Sequence, residues 1–287
     1  MLTQTRKPAW LDKKISLKVC NQMKEMLSDL HLNTVCEEAK CPNISECFAR
    51  GEATFMILGD TCTRDCSFCG VKKGKPQKVD KEEPKRVAEA VRRLGLRHTV
   101  ITSVTRDDLS LGGAEIFAEV ISEIKRIDER IRVEVLIPDF NLNLEAIKMV
   151  VDAGPDIIAH NVETVPRLYE KVRPSSNYNS SLKVLKKVKE LNDRIYTKSG
   201  IMLGLGERED EVIDVFFDLV DTGCDFLSIG QYLPPSLHHY PVKEYIEPRR
   251  FDYYKEKALS AGIRYVMSAP YVRSSYRAGE YLEKQQK

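Results

Sequence analysis

The chain has 287 residues, 42% hydrophobic and 31% charged, enough for one large core with extensions. Its 45 Lys and Arg against 43 Asp and Glu leave a formal charge of +2 with the signs interspersed, which offers nucleic acid no electrostatic footprint. No apolar run approaches the ~18 residues of a membrane helix, and residues 1–18 lack the apolar stretch of a secretory signal, so a soluble cytoplasmic protein without membrane or nucleic-acid partners is expected.

In chain order, Ile15, Val19, Met23, Met26 and Leu30 recur at spacings of three and four, which predicts an amphipathic helix over 14–30. Cys20 lies beside that stripe and reads as a small core hydrophobe. Of the 8 cysteines, all but Cys224 fall between residues 20 and 69. A chain of this size does not need disulfide staples, so the crowding points to metal. From residue 54, short apolar runs at 54–58, 98–103, 132–138, 156–162, 195–203 and 225–230 read as strands. Helical patterns at about 84–95, 112–127, 143–153, 180–192, 207–222 and 248–261 follow them. Near-continuous apolar strands alternating with helices indicate a parallel sheet buried on both faces. The expected fold is therefore α/β, a partial (β/α)6 TIM-type barrel, with a doubly wound sheet as the alternative. Expected boundaries are an N-terminal extension at 1–53, the barrel at 54–268 and a C-terminal arm at 269–287. In either fold the chemistry belongs in the loops after the carboxyl ends of the strands.

The first strand runs into Cys62-Thr-Arg-Asp-Cys66-Ser-Phe-Cys69, three cysteines in such a loop. A [4Fe–4S] cubane takes one thiolate per iron, so three close cysteines leave one iron open to a small molecule. Zinc is the alternative, but its usual knuckles pair CxxC with a second, distant CxxC. Upstream, Cys36, Cys41 and Cys47 form a second triad of soft ligands and imply another cluster. Cys224, at the amino end of a strand, is badly placed to complete either triad.

The CxxxCxxC spacing, with Phe68 just before its last cysteine, resembles the radical S-adenosylmethionine superfamily. The upstream CxxxxCxxxxxC spacing and the Cys-Pro-Asn at 41–43 resemble, within it, the lipoyl synthases. So do WLDKK at 10–14, TSVTRDDL at 102–109, HNVETVPRLY at 160–169, VRPSSNY at 172–178, TKSGIMLGLGE at 197–207, QYLPPS at 231–236 and VRSSY at 272–276. Leu111 stands where an acidic residue is expected, and Pro234 where a longer side chain is. The resemblance implies a catalytic cluster on Cys62, Cys66 and Cys69 that binds and cleaves S-adenosylmethionine, with Phe68 near the adenine. It implies an auxiliary [4Fe–4S] cluster on Cys36, Cys41 and Cys47, completed by a serine of the C-terminal motif, Ser275 in preference to Ser274. Read from sequence alone, both serines are ordinary loop hydrogen-bonders. Gly112 and Gly113 open a helix whose N–H groups can meet a carboxylate, and the resemblance turns that pair toward the methionine part of the cofactor. Asn161, Glu163, Arg173 and Lys198 are candidates for its polar groups, the alternative being buried polar residues satisfied by the fold.

The implied reaction inserts two sulfur atoms, at the sixth and eighth carbons of an octanoyl chain on a lysine of a lipoyl carrier protein. The auxiliary cluster is the implied sulfur source. A ferredoxin or flavodoxin as electron donor, and an iron–sulfur carrier that repairs the auxiliary cluster, are the further partners expected. Two other readings compete: an RNA methylthiotransferase of the same superfamily, and a non-enzymatic two-cluster electron carrier.

Overall fold

The computed structural model describes residues 7–13 and 16–283. Residues 1–6 and 284–287 lie outside them, as do Lys14 and Ile15 of the expected first helix. Helix α1, Leu17–Asp29, buries Cys20, Met23 and Leu27, as its three-and-four spacing requires. The cysteine-rich segment follows as strand β1 (Asn33–Thr34) and two short helices, α2 (Val35–Glu38) and α3 (Ile44–Ala49). Next come β2 (Thr54–Ile57), a small two-stranded ribbon of β3 (Thr61–Cys62) and β4 (Lys72–Lys73), and α4 (Glu83–Leu94).

The repeat then runs β5 (His98–Ser103), α5 (Ala114–Ile127), β6 (Arg132–Leu136), α6 (Leu144–Asp152) and β7 (Ile157–Ala159). It continues with α7 (Tyr169–Val172), α8 (Tyr178–Leu191), β8 (Tyr196–Leu203), α9 (Glu209–Asp221) and β9 (Phe226–Gln231). Helix α10 (Pro248–Ala261), β10 (Tyr265–Ser268) and α11 (Gly279–Glu283) end it. Local chemistry sets the boundaries. Asn143 caps α6 by accepting from the backbone N–H groups of Glu145 and Ala146, and Asn177 caps α8. Gly95 ends α4 in the left-handed conformation at φ +62°.

The main sheet is ordered β1-β2-β5-β6-β7-β8-β9-β10, parallel throughout except for β1. Six strand–helix units form the partial barrel that the periodicity predicts. Two strands go beyond it. Tyr265–Ser268 adds a seventh parallel strand on β9, and Asn33–Thr34 pairs antiparallel with β2 at the other edge. The first is not directly followed by a helix of the repeat and the second is two residues long, so neither registers as a strand–helix unit.

Strands β2 to β7 pack against α1 and α4 to α6, while β8 and β9 pack against α9 and α10. The amino end of the barrel is closed from the C-terminus. Tyr281 of α11 is fully buried there against Ile157 and Phe226, the first residues of β7 and β9. The C-terminal arm therefore leaves β10 at the carboxyl ends of the strands and is anchored at their amino ends.

Candidate active site

The Cys62 triad and two cysteines of the N-terminal triad border one cavity of about 410 Å³ at the carboxyl ends of the strands. Cys62, Cys66 and Cys69 reach it from the loop after β2, and Cys36 and Cys41 from the N-terminal segment. A second cavity of about 300 Å³ lies on the far side of the N-terminal triad, lined by Cys36, Cys41 and Cys47. Ser275 lines both cavities, whereas Ser274 lines only the first, where its Oγ accepts from Asn161 Nδ2 at 2.8 Å. Of the two neighbouring serines, only Ser275 borders the cavity that all three N-terminal cysteines line.

The donor chemistry of each triad suits soft metal. Cys62 Sγ accepts from the backbone N–H groups of Arg64 and Thr105, each at 3.4 Å, the kind of contact that stabilises a cluster thiolate. Burial pushes the Cys69 and Cys47 thiols up to about 11 and Cys36 to about 12, with neighbouring cysteines adding to all three. Burial also raises Cys66, against the opposing charge of Arg173. At neutral pH these thiols keep their protons until metal displaces them. Among the described residues no three His, Cys, Asp or Glu side chains converge tightly enough for a single ion. A cubane asks for something different, one thiolate on each of several irons.

Several cofactor candidates come together in the larger cavity. Phe68, Asn161 and Glu163 line it, and so do Thr102 and Ser103 at the end of β5. Ser103 Oγ and Asn161 Oδ1 have no hydrogen-bond partner within the protein, so a bound polar ligand can donate to either, and the Ser103 hydroxyl can also donate. Glu163 sits at φ +66°, a conformation that costs a non-glycine residue energy. Asn161 Nδ2 donates to its carboxylate at 3.0 Å. Burial raises the Glu163 pKa while the charge of Arg173 opposes it.

Four candidates lie elsewhere. Arg173 does not line the cavity; its Nη1 donates to the Asn161 carbonyl at 2.9 Å and to Tyr169 Oη at 3.1 Å, which holds Asn161 from behind. Lys198 is fully buried near the amino end of β8. Its Nζ is 2.9 Å from Glu134 Oε1 and 3.8 Å from the centre of the Tyr281 ring, so it is spent on the barrel floor rather than on a ligand at the mouth. Gly112 and Gly113 do not line the cavity either. At φ +59° and +87° they make the turn into α5, and a Cβ on Gly113 would stand 2.3 Å from Leu58 Cδ1. Close packing accounts for that pair.

The residue that sequence reasoning missed is Arg64, inside the cysteine motif itself. It is buried, and it donates to Asp107 through Nε and Nη2 and to Asp139 through Nη1 and Nη2. The loop after β2 is thereby tied to the loops after β5 and β6. An arginine between two metal-ligand cysteines was the available signal, since it cannot ligate and must bond something else.

Residues 56–219 match the Radical SAM superfamily. Over 97% of its length the chain is 58% identical to the lipoyl synthase of Caldicellulosiruptor saccharolyticus, 98% of which is covered. It is 56% identical to that of Alkaliphilus metalliredigens, over 97% of each chain. The chain belongs to the lipoyl synthase family. Like the family, it is a radical S-adenosylmethionine sulfurtransferase that works with two [4Fe–4S] clusters. Lipoyl synthases keep the superfamily's fold, and two solved structures share it at low identity. Methylornithine synthase aligns at TM-score 0.56 and 14% identity, over 93% of this chain and 91% of that one. The [FeFe]-hydrogenase maturase from Carboxydothermus hydrogenoformans aligns at TM-score 0.55 and 15% identity, over 96% and 84%. Among the described residues no helix is long and apolar enough to cross a membrane.

Proposed function

We propose that this protein inserts two sulfur atoms into an octanoyl chain on a lysine of a lipoyl carrier protein, at the sixth and eighth carbons. The observation that carries the reading is the cavity bordered by Cys62, Cys66 and Cys69, by Cys36 and Cys41 of the N-terminal triad, and by Ser275. Cys62, Cys66 and Cys69 hold the catalytic cluster; Cys36, Cys41, Cys47 and Ser275 hold the auxiliary one. Bound there, the first cluster with S-adenosylmethionine supplies a carbon radical able to take hydrogen from an unactivated carbon, and the second supplies sulfur.

The chain's own residues bind and orient. Asn161, Glu163 and Ser103 offer the polar groups for S-adenosylmethionine, Phe68 an aromatic face beside it, and Arg173 fixes Asn161 from outside the cavity. The apolar parts of the cavity, Met56, Leu136 and Ile201 among them, keep water from the reacting carbon. A ferredoxin or flavodoxin delivers electrons, an iron–sulfur carrier restores the auxiliary cluster, and the protein works in the cytoplasm. An RNA methylthiotransferase reading has no comparable support, because near-full-length identity falls on lipoyl synthases.

Anaerobic reconstitution tests the reading. The chain is expected to take up about eight iron, two four-iron clusters. Replacing Cys62, Cys66 and Cys69 with Ala abolishes 5′-deoxyadenosine formation. Replacing Cys36, Cys41 and Cys47 leaves cofactor cleavage largely intact but yields no dithiolated product. Saturation at about four iron in the parent protein would refute the two-cluster assignment, and cofactor cleavage by the first triple variant would reverse the roles of the triads.

A further inference from the structure

Glu46 stands on α3 beside Cys47 and has no part in the chemistry above, yet the N-terminal segment and the C-terminal arm both converge on its carboxylate. Tyr276 Oη, next to Ser275 on the C-terminal arm, donates to Glu46 Oε1 at 2.7 Å. Lys13 Nζ, from the N-terminal segment, donates to Oε2 at 2.8 Å and to Asn43 Oδ1 at 2.6 Å. Arg50 Nη1, one turn on, donates to Oε1 at 3.1 Å. Asn43 in turn donates from Nδ2 to the Tyr271 carbonyl at 2.7 Å, and the Lys13 ammonium lies 4.9 Å from the centre of the Tyr271 ring. Tyr271 closes the circuit by donating from Oη to the Leu11 carbonyl. Residues 271 to 276 are thus stitched at both ends to the helix and loop that carry Cys41 and Cys47, with Ser275 between the stitches.

The stitches are also selective in what they hold. Tyr281 is buried in the barrel floor and Gln231 N–H donates to the Pro270 carbonyl at 3.1 Å, so the arm is secured beyond both ends of this stretch. The Ser275 stretch itself is half-exposed along the second cavity, and its attachment to the cysteine segment runs through side chains. Side-chain hydrogen bonds at the surface are each worth little, so such a stretch opens locally at a small fraction of the global cost.

We propose that Glu46 is a positioning residue: by clamping Tyr276 and Lys13 to the helix that bears Cys47, it sets Ser275 over the auxiliary cysteines and governs how readily that serine leaves. The proposal rests on the reading of Ser275 as the auxiliary ligand. If the clamp were loosened, the auxiliary cluster would suffer first, since Cys62, Cys66 and Cys69 are held by other contacts and Ser274 keeps its own bond to Asn161.

The test uses reconstituted full-length protein and three variants, Tyr276→Phe, Glu46→Gln and Ser275→Ala. Tyr276→Phe removes one hydroxyl. Glu46→Gln keeps an acceptor for Tyr276 but loses the charge that holds Lys13. Backbone hydrogen exchange over 271–278 is expected to quicken about five- to tenfold in Tyr276→Phe, the loss of roughly one net hydrogen bond, and less in Glu46→Gln. Both should lose about one iron per chain and show a three-iron electron paramagnetic resonance signal, as Ser275→Ala does, while forming 5′-deoxyadenosine within about twofold of the parent. Exchange unchanged in both clamp variants would overturn the proposal. Faster exchange with the parent's iron content and spectrum, beside a Ser275→Ala variant that loses iron, would overturn it as well. Full iron in Ser275→Ala would instead refute serine ligation, and the exchange rates alone would then decide whether Glu46 holds the arm.

Discussion

The Arg64 guanidinium meets both carboxylate oxygens of Asp139 at 2.7 Å, with each partner's side chain only 6% exposed. This paired bond, doubled by a second one to Asp107, holds the loop of Cys62, Cys66 and Cys69 to the neighbouring strand ends. Arg64→Met leaves the Asp139 carboxylate buried without its partner and should cost about 3–5 kcal/mol. Arg64→Lys keeps the charge but loses the fork and should fall between. Denaturant unfolding of both apo-proteins, beside their iron uptake, measures the effect; wild-type stability in Arg64→Met would show the clamp to be idle.

Ser274 and Ser275 are separable. Ser274→Ala removes the acceptor for Asn161 Nδ2 and should weaken S-adenosylmethionine binding several-fold with the iron content unchanged. Ser275→Ala should lower auxiliary iron and dithiolated product without altering cofactor affinity. Calorimetric titration of S-adenosylmethionine and iron assay of the two variants distinguish them, and an exchange of phenotypes would move the ligand to Ser274.

Lys198 belongs to the barrel floor. Lys198→Met should destabilise by about 3–5 kcal/mol, because Glu134 is left charged and fully buried. Adding Glu134→Leu should recover much of the loss, since an apolar pair of similar volume is often as stable as a buried ion pair. Neither variant should change the affinity for S-adenosylmethionine by more than about twofold, a factor worth about 0.4 kcal/mol. A large weakening in Lys198→Met would return the residue to the cofactor site.

His160 should make stability depend on pH. Burial, helped by the charge of Arg173, drops its pKa to about 4, and its Nδ1 bonds the Ile137 carbonyl at 2.9 Å. The ring is neutral in the folded protein, whereas an unfolded chain takes up the proton near pH 6.5. The contribution is therefore complete above about pH 6.5 and is lost as pH falls toward 4, about 3 kcal/mol in all. His160→Gln should flatten that slope. Denaturant midpoints of the apo-protein between pH 4.5 and 7.5 test it, and parallel slopes in the two proteins would assign the titration elsewhere.

The repeat of strands and helices was legible along the chain, because burial on both faces of a parallel sheet writes a period that needs no partner to be read. The two cysteine triads were legible as groups for the same reason, since side chains close in sequence are brought together by spacing alone. What the chain could not announce were relationships between segments far apart in sequence. That Ser274 bonds Asn161 while Ser275 also borders the cavity of Cys36, Cys41 and Cys47 depends on where the arm crosses the strand ends. Lys198, polar in an apolar strand, reads as a ligand contact until Glu134 and Tyr281 are found around it. The glycine pair reads as an anion cradle until Leu58 and Phe140 fill the space a Cβ would need. Sequence determined the residues available for chemistry, through periods and spacings set by local geometry. Tertiary structure decided which of them face the cavity, because a side chain's partner is chosen by packing between segments that the sequence holds far apart.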